Sequence, residues 1–345
     1  MHKTSLAAAA GLAAILLSTS AMAGKDLDAI KARGALICGV GTGIGGLHAA
    51  PTARASGPAS TSIVCRAVAA AIFGDAEKVK YVPTDRAAAL HRAAVGRGRH
   101  AVATTRPCTL TRDTALGLDF TGVTYYDGQG FMVTKKLGVK SAKELNGATV
   151  CVAPGTTTEL NLADYFRANK MTFKPVVIEK VEEDPRRLLL RPLRRLHDRR
   201  LGPLRDPRRQ RAAAGHADDF IILPEIISKE PLGPVVRHGD NQFADIVRWA
   251  QYAMIEAEEY GITSKNVDEM LKSDNPTIKR ILGVTPGMGK ALGVDEKWVY
   301  NIVKQVGNYG ESFDRNVGTG SPLKIDRGLN KLWTQGGLQY APPIR

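Results

Sequence analysis

The segment Ala148–Asn169, ATVCVAPGTTTELNLADYFRAN, places a strand, a glycine-bearing turn and a helix in immediate succession. Ala148 to Val152 reads as a short buried strand, and a helix is expected from about Leu160 to Asn169. Gly155-Thr156-Thr157-Thr158-Glu159 joins them. N–H groups at a helix N-terminus attract anions, and threonine hydroxyls add donors. No lysine follows to make a Walker-type loop, so a carboxylate suits this turn better than a triphosphate. The plainer alternative is an N-cap at Thr156 with Glu159 completing the capping box. The local residues leave both readings open.

The same alternation extends in both directions. Asp26–Arg33 reads as a short helix that Gly34 stops, and Ala35–Val40 as a buried strand. The turn Gly41–Gly46 contains a GxGxxG string, but no acidic residue ends a following strand to hold a ribose. A close backbone approach to a small ligand fits it better than a dinucleotide. Arg66–Phe73 is expected to be helical and Lys78–Val82 extended. Gly122–Tyr126 and Gly130–Val133 read as strands around a turn, with Val176–Ile178 and Phe220–Leu223 as later strands. Helices are expected at Phe243–Glu259, Val267–Lys272 and Lys297–Tyr309. Alternating strands and helices indicate an α/β architecture, and 345 residues suggest about two domains.

His2 and Lys3, an apolar stretch from Leu6 to Leu17, and Ala21-Met22-Ala23 together have the pattern of a secretory signal. Cleavage is expected after about Ala23, giving a mature chain that works outside the cytoplasm. Cys38, Cys65, Cys108 and Cys151 fit no CxxC or zinc spacing, so no metal is expected, and one or two disulfides are possible. The net charge of +14 is concentrated. Residues 184–211 carry a net +8, residues 84–106 a net +4, and Arg54 adds one more. The rest of the chain is close to neutral.

Several further stretches resemble the general L-amino-acid-binding proteins, members of the family-3 extracellular solute-binding proteins of ABC importers. They are TLTRDTALGL (Thr109–Leu118), VTYYDGQGFMV (Val123–Val133), GTTTELNLADYF (Gly155–Phe166), ILPEIISKEPLGP (Ile222–Pro234) and VGNYGESFDRN (Val306–Asn316). GSPLKIDRGLN and GGLQYAPPIR near the C-terminus fit as well. The resemblance implies the type II periplasmic-binding-protein fold, two α/β lobes that close over ligand about a hinge. Lobe one would comprise 24–132 and 230–345, and lobe two 133–229. Arg112 matches the arginine that binds the ligand α-carboxylate, and planar guanidinium suits bidentate pairing. Thr109 matches a polar residue beside it. Thr156 and Thr157 match lobe-two donors to the same carboxylate, with Thr158 near the ligand. Cys38 and Cys65 form a plausible disulfide pair. The implied protein is a periplasmic monomer without cofactor or catalytic residues, taking polar or acidic L-amino acids to a membrane permease.

Residues 47–64, 84–107 and 184–213 depart from this pattern, which resumes after each. A reading-frame change accounts for all three. With permitted codons, regrouping Ala55–Ile63 by one base yields GVWSGFDVD. Leu90–Thr104 yields FTALQSGEVDMLSR, and Leu188–Arg200 yields AYFFGRCDVYTTD. Each is the family's string in its expected place. In the third, the codon for the aspartate that holds the ligand α-amino group straddles Arg199 and Arg200. Positive charge there would repel an ammonium group. Pro107 and Cys108 replace Thr-Trp, and Cys151 loses its expected partner in the third tract. The chain as written is therefore expected to be less stable and to bind weakly.

Two other classes fit the sequence less well. A cyclohexadienyl-dehydratase-like enzyme on the same fold needs acid and base groups in the cleft. None is convincingly placed near the threonine turn, since His48, His91, His100, His197 and His216 fall in or beside the atypical tracts. An Arg-rich nucleic-acid or surface binder would need RNP-type aromatics or an amphipathic period. Neither is present, so no nucleic-acid partner is expected.

Overall fold

The computed structural model describes residues 25–41, 60–84, 103–152, 157–177, 200–204, 220–321 and 324–345. The signal-like segment, residues 42–46, Thr156, Arg199 and most of the three atypical tracts lie outside them. In chain order the main elements begin with α1 (Lys25–Arg33), β1 (Leu36–Gly41), α2 (Ser60–Phe73), β2 (Val79–Thr84) and β3 (Ala103–Pro107). The strands β4 (Leu118–Phe120), β5 (Tyr125–Asp127), β6 (Gly130–Thr134) and β7 (Ala148–Val152) follow. Next come α3 (Thr157–Ala168), β8 (Phe173–Val177), β9 (Arg200–Leu204), β10 (Phe220–Ile222) and β11 (Glu230–Arg237). Helices close the chain: α4 (Asn241–Glu259), α5 (Val267–Met270), α6 (Pro276–Ile281), α7 (Met288–Leu292), α8 (Trp298–Val306) and α9 (Tyr309–Asn316).

Two large hydrophobic cores organise these elements. The first draws on α1, β1, α2, β5, β11 and the C-terminal helices, running from Leu27 to Ile344. The second lies wholly between Phe131 and Leu223, with Phe131, Val150, Leu162 and Phe166 almost completely buried. The first core thus takes its residues from before and after the second. Its sheets are the parallel pair β1–β2 and the set in which β11 lies between β3 on one side and β4 and β5 on the other. The second core backs a five-stranded sheet in the order β10-β6-β9-β7-β8, parallel between β7 and its two neighbours.

Helix α4 shows why the sequence builds these layers. Phe243, Ile246, Val247, Ala250, Met254 and Ala257 recur at helical spacing and are all buried in the first core. Its N-cap, Asp240, accepts the Phe243 N–H through Oδ1 at 2.9 Å. Oδ2 of the same carboxylate accepts the N–H groups of Asp26 and Leu27, each at 3.0 Å. One buried side chain therefore serves the N-termini of two helices far apart in sequence. Cys38 on β1 and Cys65 on α2 are joined by a disulfide, while Cys108 and Cys151 are thiols.

The structure alters several expectations. The helix expected at Arg66–Phe73 begins at Ser60, inside the first atypical tract, and Ile63 and Val64 are buried. The second and third tracts also supply backbone to the sheets, as β3 and β9. Lys297–Tyr309 is not one helix. Gly307, at φ +92, ends α8 in a conformation that L side chains rarely adopt. Asn308 then starts α9 with a reciprocal capping box to Glu311. The two strands around Asp127–Gln129 do not pair with each other: β5 joins β11, and β6 joins β9 and β10.

Candidate functional site

Arg112 lies in the connection between β3 and β4, which flank β11 on opposite sides. Both strands run antiparallel to β11, so the connection must cross that sheet rather than form a hairpin. The Cys108 N–H extends the β3 register by donating to the Pro231 carbonyl at 2.9 Å. The chain then turns at Thr109, whose carbonyl accepts the N–H groups of Arg112 and Asp113, each at 3.0 Å. Thr111–Ala115 forms a π-helical turn, a geometry often found at functional sites. Arg112 and Thr109 are half-buried. The Cys108 thiol is exposed, and partial burial with the nearby Asp113 charge raises its pKa, disfavouring thiolate chemistry.

Thr157 and Thr158 lie in the first turn of α3, on the second core. The helix starts beyond the carboxyl end of β7, where α/β sheets bind ligands. Thr158, Leu162 and Phe166, spaced four apart, face the core, which orients the helix start. Thr158 is buried and Thr157 half-buried. The candidate residues thus divide between two bodies, Thr109 and Arg112 with the first and Thr157 and Thr158 with the second.

Two chain segments pass between the bodies, one at Asp127–Gly130 and the other at Ile227–Glu230. They run side by side. Asp127 pairs with Glu230, the Gln129 N–H donates to Ser228 Oγ at 3.1 Å, and the Ile227 N–H donates to the Gln129 carbonyl at 2.8 Å. A Cβ on Gly128 would come within 2.4 Å of the Ile226 side chain and 3.0 Å of the Ser228 carbonyl. Only glycine permits this approach. Asn330 braces the first crossing, its carboxamide accepting the Tyr126 N–H at 2.7 Å and donating to the Tyr126 carbonyl at 3.1 Å. The sequence places these residues inside the family-like strings VTYYDGQGFMV, ILPEIISKEPLGP and GSPLKIDRGLN but gives them no separate role. Among the described residues no cluster of His, Cys, Asp and Glu could hold a metal ion.

No protein-family model matches the chain. Full-length relatives do. The chain is 50% identical over 357 aligned positions to the general L-amino acid-binding periplasmic protein AapJ of Rhizobium johnstonii, covering all of both chains. It is 48% identical over 346 positions, again with complete coverage, to the glutamate/glutamine/aspartate/asparagine-binding protein BztA of Rhodobacter capsulatus. The chain belongs to the amino-acid-binding periplasmic proteins of ABC transporters. These relatives are named as binding proteins, not enzymes, which leaves the dehydratase reading without support.

Solved structures share the fold. A periplasmic binding protein from Brucella ovis with glutathione bound is 50% identical to the chain, with a TM-score of 0.83 over 92% of this chain and 99% of that one. The cysteine-binding protein of Campylobacter jejuni, at 19% identity and a TM-score of 0.54, covers 73% of this chain and 96% of its own. At that identity the likeness concerns the fold alone. The architecture is that of the type II periplasmic binding proteins. Membership in this family implies a periplasmic location.

Proposed function

We propose that this chain captures free L-amino acids, with polar and acidic ones preferred, and delivers them to the membrane permease of an ABC importer. One observation carries the reading. An arginine loop crossing the sheet of one core and a threonine-bearing helix start on the other core are joined by two paired crossing segments. Such an arrangement suits a ligand held from both sides and a hinge motion coupled to binding. Arg112 would take the α-carboxylate, with Thr109 beside it. Thr156 and Thr157 would donate to the same group, and Thr158 would lie near the ligand. The lobes would comprise 24–132 with 230–345, and 133–229. The mature protein would begin after about Ala23 and act as a monomer.

The proposal extends to the present sequence. Residues 47–64, 84–107 and 184–213 are products of frame change, and the loss of the aspartate at Arg199–Arg200 leaves the ligand ammonium group without its anion. The chain as written binds weakly. Resequencing the coding DNA around the three tracts tests the frame, and an uninterrupted frame encoding FDVD, SGEVD and YTTD restores the ordinary receptor.

Calorimetry with L-glutamate, L-glutamine and L-aspartate separates these claims. A chain with the three tracts restored should bind at least one in the micromolar range, and no binding by it would refute the amino-acid reading. Tight binding by the chain as written would refute the claim of impairment. The glutathione-bound Brucella structure favours a second ligand class. Glutathione ends in a γ-linked glutamate with free α-amino and α-carboxylate groups, so Arg112 could receive it in the same way. Competition between glutathione and L-glutamate on the restored chain decides that reading.

A further inference from the structure

The Gln129 side chain is completely buried, although it lies in a crossing segment between the two bodies. Its carboxamide does not serve the neighbouring strand. Nε2 donates to the Thr158 carbonyl at 2.9 Å, and Oε1 accepts from Asn161 Nδ2 at 3.3 Å. Both partners belong to the first turns of α3. The Gln129 backbone is meanwhile held by the second crossing segment, through Ser228 Oγ and the Ile227 N–H. One residue is therefore bonded by its backbone to the opposite hinge segment and by its side chain to the site helix.

We infer that Gln129 is a positioning residue for ligand capture: it ties the start of helix α3 to the hinge, so that the Thr157–Thr158 turn is held in place and moves with hinge rotation. The inference rests on the reading that this turn receives the ligand carboxylate. A preformed donor array needs no ordering when ligand arrives. Loss of the amide would leave the buried Thr158 carbonyl and Asn161 amide without these bonds, and the first turn free to fray. Gln129 itself need not touch the ligand.

The test compares wild type with Gln129→Met, which keeps length and volume but removes the amide, and Gln129→Glu, which keeps the acceptor but loses the donor while ionised. All are full-length chains. In ligand-free protein, hydrogen exchange at the amides of residues 159–162 should quicken about tenfold in Gln129→Met, with protection in α4 and α8 unchanged. The Kd for L-glutamine should rise about tenfold in both variants, read from thermal shifts at millimolar ligand. For Gln129→Glu the loss should shrink from pH 7 to pH 5, because a protonated carboxyl regains a donor toward Thr158. A role confined to filling the core would show no such pH profile. Unchanged exchange in Gln129→Met, or quickened exchange with unchanged affinity, would overturn the inference. Absence of L-glutamine binding by the chain as written agrees with the impairment proposed above, and the exchange comparison alone then decides for or against the tie.

Discussion

Arg112 and Glu256 show how differently two charged side chains can act in one fold. Arg112 was recognisable in sequence because its neighbours Thr109–Leu118 carry a family pattern, and the structure places it on a loop forced to cross β11. Under the proposed function, Arg112→Lys should weaken L-glutamate binding by the restored chain about tenfold, because a single ammonium group cannot reproduce bidentate pairing. Equal affinity of the two proteins in calorimetry would remove Arg112 from the site. Glu256 carried no sequence signal beyond its place on a helix. It is buried, and both its oxygens accept the Ile344 N–H, at 3.3 and 3.0 Å, which fastens the C-terminal segment to the first core.

Burial pushes the Glu256 carboxyl up to about 7, with the Glu259 charge adding to the rise, against the Ile344 N–H and Arg280. The folded state therefore holds a proton that the unfolded chain releases near pH 4.5. Stability from this group is present below that pH and is lost as pH rises toward 7. Glu256→Gln keeps an acceptor for Ile344 and removes the buried charge. It should be about 1–2 kcal/mol more stable than wild type at pH 8, with the advantage vanishing near pH 4.5. Urea unfolding at the two pH values measures this, and an equal difference at both would exclude Glu256 as the source.

At the scale of elements, most boundaries followed from local pattern. The strand at Ala148–Val152 and the helices at Asn241–Glu259 and Lys25–Arg33 have apolar spacing that neighbouring residues alone can read. The misread break at Gly307–Asn308 is also local in cause. An apolar period continues across it, but a positive φ and a reciprocal cap override the period. Elements that pair over long distances were harder. Glu230–Arg237 contains two prolines yet is the central strand of its sheet, because β3, β4 and β5 each pair with only part of it. Asp240 is the element-scale contact with the largest expected effect. Asp240→Ala removes the acceptor for three backbone N–H groups and should cost about 3 kcal/mol, whereas Asp240→Asn should retain part of the stability. A cost below about 0.5 kcal/mol in denaturant titration would mean that water replaces the carboxylate.

At the scale of the whole molecule, two cores joined by two adjacent segments make stability divisible. The atypical tracts contribute to both bodies: α2 begins in the first, β3 comes from the second, and β9 comes from the third. Restoring the family strings should raise the thermal midpoint of unfolding by a few degrees, about 2 °C for each kcal/mol regained. Restoring the third tract alone should act chiefly on residues 131–223, and hydrogen exchange resolved by segment can separate the two bodies. A restored chain no more stable than the present one would count against the frame reading.

Beyond the Cys38–Cys65 pair, which only the resemblance suggested, the family pattern and the alternation of strands and helices could be read along the chain. Their causes lie in residues a few places apart, or in motifs preserved as strings. Which strands join which sheet could not be read that way. Tyr125–Asp127 and Gly130–Thr134 are almost adjacent, yet they enter different sheets because β11 and β10 return to them about a hundred residues later. The buried bonds of Gln129 to Thr158 and of Asp240 to Leu27 likewise join residues 29 and 213 positions apart. A polar side chain takes its partner from whatever packing brings within about 3 Å, and sequence spacing does not encode that distance.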